Sequence, residues 1–252
     1  MSIIKTQISN QILWATINRP ETRNAIDFDV MKDLEQLVTE LEKKEEIRLF
    51  ILNGAGSDSF VSGGDLNKFH TIQSEDKAIE MSRKMHHILN RIEKLPCWTI
   101  ACINGDTYGG GIEMMLAFDF QLSAPGVKLG FTQGRFYLAP GWGGLTRLTE
   151  KTGRSKALEL LGKSSIISAE DALGYGIISH ILDGGNLEEE TLSWAQNLGK
   201  NDRNFIGTLK KGALTYSQLR EQALAAEIDP FAKLWVSEEH LQRVEKFMNR
   251  KG

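Results

Sequence analysis

The chain has 252 residues, 41% of them hydrophobic, enough for one large core with a small appendage at most. Its net charge of −3 and pI near 6.0 exclude a global basic field that would gather nucleic acid or an anionic membrane, so a phosphate-bearing ligand has to be met by local groups. The N-terminus has no charged-then-apolar leader pattern and no apolar run approaches the roughly 20 residues of a membrane span, so a soluble, cytoplasmic protein is expected. Cys97 and Cys102 fit neither a zinc nor a redox spacing; they read as small core hydrophobes, and no metal is expected.

Ile3–Thr6 and Ile12–Ile17 read as a hairpin turning at Ser9-Asn10. Pro20 keeps the following loop, Asn18 to Ile26, out of helix, and Arg19 and Arg23 read there as surface charge that could also meet a phosphate. Asp27 is a plausible N-cap for a helix to about Lys44, with Met31, Leu34, Leu37, Val38 and Leu41 at helical spacing. Arg48–Asn53 reads as a buried strand. After it, Gly54–Ser59 is turn-rich and Phe60–Leu66 forms a glycine joint at Gly63-Gly64. Ser74 can cap a helix running to about Lys94, on which the adjacent His86 and His87 diverge and cannot share a metal.

Trp98–Ile103 is a short apolar run that reads as a buried strand, and Gly111–Ala117 reads as a helix packed in the core. Between them, Gly109-Gly110-Gly111 lets another group approach the main chain, and free N–H groups at the helix start carry partial positive charge. Such a joint suits a developing anion. Glu113 lies in the first turn, where a carboxylate is ordinarily solvated. Its neighbours Ile112, Met114, Met115 and Leu116 instead predict that it projects from a buried helix, which favours a functional role. With Gly63-Gly64 as a second joint, the chain offers two backbone donors from different loops, as an oxyanion hole requires.

Further on, Asp119–Ser123 and Lys128–Gln133 read as strands, and Pro140-Gly141-Trp142-Gly143-Gly144 opens a helical series broken at Gly153 and Ser164. Ser168 caps a short helix, Ile177–Leu182 reads as a last strand, Asp183–Asn186 as a hinge, and Leu187–Lys251 as a helical tail. Alternating strands and helices give an α/β class. No dinucleotide fingerprint, P-loop or nucleophile elbow is present.

Five segments in order make the chain resemble the crotonase (enoyl-CoA hydratase/isomerase) superfamily over nearly its whole length. They are Ile17-Asn18-Arg19-Pro20 with Asn24-Ala25; Ser62-Gly63-Gly64-Asp65-Leu66; Ile103-Asn104-Gly105 with Gly109 to Glu113 and Asp119; Pro140 to Leu148; and Ser168 to Ala172. The resemblance implies the ClpP/crotonase fold, a spiral of β-β-α units over residues 1–185, with a C-terminal helical region over 186–252 that contacts CoA and builds a homotrimer or a dimer of trimers. It implies an acyl-CoA substrate and no separate cofactor, coenzyme A being part of that substrate. The thioester oxygen would lie between the N–H groups of Gly64 and Gly110. The substrate would be bound by Arg23, Ala25, Val61, Ser62, Gly63, Asp65, Leu66, Gly109, Trp142 and Phe247, with Arg250 and Lys251 near the CoA.

Hydratases of the superfamily use two glutamates on one water. The first maps to Glu113, and the second falls on Gln133, which can hold a water but cannot exchange a proton at neutral pH. Hydration or isomerisation by Glu113 alone is the primary reading. Decarboxylation of a malonyl-type CoA ester, which needs no base, is the alternative, and a non-catalytic CoA-ester binding protein is a third. Arg135 reads as a surface cation or a partner for a substrate carboxylate. Tyr137 reads as a core or pocket-wall residue or a proton donor.

Overall fold

The computed structural model describes residues 3–214 and 220–249. Ile4–Ser9 (β1) and Ile12–Ile17 (β2) form the hairpin, but its turn is Asn10-Gln11, both at positive φ, with Ser9 still paired to Ile12. Asp27 accepts hydrogen bonds from Asp29 N and Val30 N and so caps α1 (Phe28–Lys43). Leu49–Gly54 (β3) pairs parallel with β2. A single helical turn, α2 (Leu66–Phe69), and the long α3 (Glu75–Lys94) lead to Trp98–Ile103 (β4).

The two-residue β5 (Thr107–Tyr108) and α4 (Gly110–Met115) precede Phe120–Ser123 (β6) and Lys128–Gly130 (β7). β7 is shorter than its apolar pattern suggests, because Thr132–Phe136 winds into a 3-10 turn that ends at Tyr137 with φ 57. α5 (Gly144–Thr152), α6 (Arg154–Gly162), β8 (Ile166–Ser168) and α7 (Ala169–Gly174) follow. The strand expected over 177–182 is reduced to β9 (His180–Ile181), since Ile177 N and Ile178 N both bond Ala172 O and close off α7. The tail holds α8 (Leu187–Ala195), α9 (Arg203–Leu214), α10 (Arg220–Ala225), α11 (Ile228–Trp235) and α12 (Glu238–Asn249).

One six-stranded sheet has the order β1-β2-β3-β4-β6-β9, parallel from β2 onward, and a three-stranded sheet has the order β5-β7-β8. Successive residues of β3 face opposite ways, so Phe50 and Leu52 join the main core while Leu49 and Ile51 join a second cluster with Leu192 and Trp194 of α8. Both faces of the sheet are therefore covered. α11 lies against α3 and anchors Trp235, whose Nε1 donates to Ile72 O at 3.1 Å. Among the described residues no helix is long and apolar enough to cross a membrane.

Candidate active site

The two glycine joints lie side by side. Asn104, just past β4, donates to Gly54 O and Gly56 O at 2.8 and 2.6 Å and accepts from Gly54 N at 3.0 Å, locking the loops after β3 and β4 together. Tyr108 N donates to Val61 O at 3.3 Å. A Cβ on Gly63 would lie 3.0 Å from Tyr108 O and 3.3 Å from Gly110 N, and one on Gly111 would overlap Val61 O. Side chains are excluded where the two backbones abut, and Gly63 and Gly109 also have φ of 106 and 51. Among the described residues, neither Gly64 N nor Gly110 N donates to a protein group.

Glu113 is 4% exposed, on α4. Its Oε2 accepts from Trp142 N at 2.7 Å and Gly144 N at 3.0 Å, and Gln133 Nε2 lies 3.5 Å from Oε1. A Cβ on Gly144 would overlap the Glu113 side chain, which explains the glycine at the start of α5. Burial, and next the charge of Glu227, push the Glu113 carboxyl up to about 7 against these hydrogen bonds. The structure thus brings Glu113 of α4 together with Gln133, which lies in the 3-10 turn that replaced the end of the expected strand. Gln133 Oε1 and Trp142 Nε1 are buried without a protein partner. The Trp142 ring covers Gly110, where a Cβ would overlap it, and reaches to within 3.8 Å of a Cβ on Gly64.

The Arg23–Ala25 and Val61–Leu66 segments run together: Ser62 N donates to Arg23 O at 3.1 Å, Ile26 N to Gly63 O and Asp65 N to Ile26 O, both at 2.8 Å. Arg23 is exposed with φ 55, and Leu66 is half-buried at the first residue of α2. Arg19 is not a surface cation. It is buried, donating to Ala25 O at 2.5 Å and pairing with Asp27 and Asp65 at 3.1 and 3.0 Å. Asp65 also accepts from Asn67 N, capping α2. A cavity of about 240 Å³ opens beside Leu66, bounded also by Ile72, Trp235, Leu241 and Val244.

α12 packs back on the 132–137 turn. His240 Nδ1 lies 2.6 Å from Phe136 O, Arg243 donates to Gly134 O at 2.8 Å, and Phe247 meets Phe136 edge-on at 5.5 Å. Tyr137 is 39% exposed beneath the Arg243 guanidinium rather than in the core, because its left-handed backbone turns it outward, and Arg135 is exposed and donates to Ser164 O. Arg250 and Lys251 lie outside the described residues. Cys97 and Cys102 are buried and free, their thiols pushed up to about 11 by burial, as core hydrophobes would be.

Sequence reasoning missed Glu227, at the foot of α11, whose carboxylate accepts from Leu145 N at 3.1 Å and Thr146 N at 2.7 Å at the start of α5. It also missed the buried run in which Glu93 bridges Arg147 and Arg220 at 3.2 and 2.5 Å. Nothing in the local pattern around residue 227 marks it. Only the break between two short helices at Glu227 hints at a special position.

The model of the family described as enoyl-CoA hydratase/isomerase matches residues 7–251. Among relatives, the ethylmalonyl-CoA decarboxylase of Gallus gallus is 34% identical over 225 residues, 87% of this chain and 75% of that one; the Homo sapiens protein of the same name is 30% identical over 241 residues, 94% of this chain and 78% of that one. An enoyl-CoA hydratase from Bacillus halodurans superimposes with a TM-score of 0.89 at 25% identity, over 97% of this chain and 100% of that one. The chain belongs to the enoyl-CoA hydratase/isomerase family, has the crotonase fold, and is an enzyme of acyl-CoA thioesters.

Proposed function

We propose that this enzyme decarboxylates a malonyl-type CoA ester such as methylmalonyl- or ethylmalonyl-CoA. The observation that carries the reading is Gln133 beside Glu113, a single carboxyl and an amide where two-glutamate hydration needs two carboxyls. The thioester oxygen accepts from Gly64 N–H and Gly110 N–H. The bond from the α-carbon to the substrate carboxylate breaks, CO₂ leaves, and its electron pair becomes an enolate whose charge those donors stabilise, a contribution of about 10²–10³ per donor in comparable sites. Glu113, pushed up to about 7, keeps a proton in a large share of molecules near neutral pH and delivers it to the α-carbon. The names of the 30–34% identical relatives support the same substrate class. A second reading, hydration by Glu113 alone, draws on the unpartnered Gln133 Oε1, which could accept from a water.

In this reading Arg23, Ala25, Val61, Ser62, Gly63, Asp65 and Leu66 form the CoA-side wall, Asp65 through the fold of the loop. Gly109 and Trp142 line the acyl side, and Phe247 lies on the CoA-contacting face. In the same reading residues 1–185 form the spiral core and 186–252 the region for CoA contact and trimerisation, in a cytoplasmic homotrimer or dimer of trimers. The test is a mass-spectrometric time course with methylmalonyl-, ethylmalonyl- and crotonyl-CoA. Loss of CO₂ is expected from a malonyl-type ester. A gain of one water on crotonyl-CoA alone would select the second reading, and no change in any ligand despite binding would leave a CoA-ester binding protein.

A further inference from the structure

The start of α5 is shared between two carboxylates. Trp142 N and Gly144 N donate to Glu113, while Leu145 N and Thr146 N donate to Glu227. Both side chains are buried, at 4% and 8% exposure, and they come from segments more than a hundred residues apart to one helix N-terminus. Backbone amides at such an end favour carboxylate charge, but two like charges in one dry site resist each other, so a proton is retained between them.

The other groups facing the pair decide which carboxyl keeps it. Arg147 on α5 acts on Glu227, and it donates to Trp142 O at 3.0 Å, to Asn90 at 2.6 Å and to Glu93. From α3, Glu93 offsets Arg147, and the half-buried His86 stands near the same guanidinium. From α10, Arg220 answers Glu93 and Glu150. Glu113 is the one ionisable residue in α4, its neighbour Gln133 is neutral, and Asp229 and Lys233 of α11 are exposed. Arg147 acts on Glu227 and does not figure among the groups acting on Glu113, so it favours charge on Glu227 and leaves the proton with Glu113.

We propose that Glu227 is a positioning residue of the active site: it fixes the α5 amides that orient Glu113, and its charge holds the proton on Glu113. The inference rests on the reading that Glu113 handles the reaction's proton. Both carboxyls are pushed up by burial, and the Glu227 charge adds to that at Glu113.

The experiment is a pH titration of the buried carboxyl band by infrared difference spectroscopy, with E113Q as the reference that assigns Glu113, alongside pH profiles of kcat and KM. In E227Q, which keeps one acceptor for the α5 amides, the Glu113 midpoint should fall by about one pH unit, as removal of one adjacent like charge does. The limb of kcat should move with it and KM should hold, while E227D, which keeps the charge, should restore the wild-type limb. A decarboxylase loses activity on the alkaline side of that limb and a hydratase on the acid side, so the sign of the limb tests the reaction and its displacement tests Glu227. An unmoved midpoint, or a kcat lowered equally at every pH, would overturn the inference. If E227Q does not fold, the order of ionisation is read instead: because Glu227 ionises while Glu113 is still neutral, its band should titrate at nearly the same pH in E113Q and the wild type, and below the Glu113 midpoint. A Glu227 band that titrates at or above the Glu113 midpoint would overturn the inference equally.

Discussion

Glu113→Gln should make the protein more stable, and only above a definite pH. The folded chain holds the Glu113 proton up to about 7, against an ordinary value of 4.5, with burial as the main cause. Between those values the unfolded chain has released a proton that the folded chain keeps. The stability associated with neutral Glu113 is therefore complete below 4.5 and is lost as pH rises through about 7. At about 1.4 kcal/mol per unit, ionised Glu113 costs the folded state roughly 3 kcal/mol. Glutamine removes that cost and keeps an acceptor for Trp142 N and Gly144 N, and Gln133 can rotate its unpartnered Oε1 toward the new amide. Urea unfolding of both proteins at one concentration, at pH 5, 6, 7 and 8, should give curves that nearly coincide at pH 5 and separate by about 3 kcal/mol at pH 8. A difference independent of pH would mean that Glu113 ionises normally in the fold, and the argument for it as a neutral-pH acid would go with it. Turnover of E113Q should be abolished while CoA-ester binding persists.

Three other substitutions probe separate parts of the argument. Gly111→Ala drives a methyl into Val61 O, a main-chain atom, and should cost about 1–3 kcal/mol in a thermal or urea melt while weakening turnover through Gly110 next to it; an unperturbed variant would show that the two joints do not need to abut. Glu93→Ala leaves Arg147 and Arg220 buried without their shared carboxylate and should destabilise by about 3–5 kcal/mol, read from the urea midpoint. Gln133→Glu supplies the second carboxyl beside Glu113 and should raise hydration of crotonyl-CoA; no gain would argue that this position does not face the reacting water.

What could be read from the residue order was the local part. Glycine triplets, an apolar strand and a carboxylate among methionines announce themselves within a dozen residues, so Gly64, Gly110 and Glu113 were reachable, and capping at Asp27 followed from its place before an amphipathic run. Arg19 was misread because its partners, Asp27 and Asp65, become neighbours only when the two loops zip together. Glu227 was invisible for the same reason: in a polar helical tail it looks like any solvated glutamate, and its meaning comes from the α5 amides it meets. β5, β8 and β9 are two or three residues long, too short for alternation to register, and hydrogen bonds from distant loops define them.

Strand order in the large sheet follows sequence order, each new strand joining at the same edge. A nascent chain leaving the ribosome can thus extend the sheet one strand at a time, without waiting for a later segment to insert between earlier ones. The candidate site follows a different schedule. The carboxylate that caps α5 and the helix that braces the Gln133 turn both lie beyond residue 226, so a partly synthesised chain could own a complete sheet and still have an unbraced, water-accessible Glu113. The site would thus be completed well after the sheet, and fraying of α11 and α12 would open it again while the sheet stays intact.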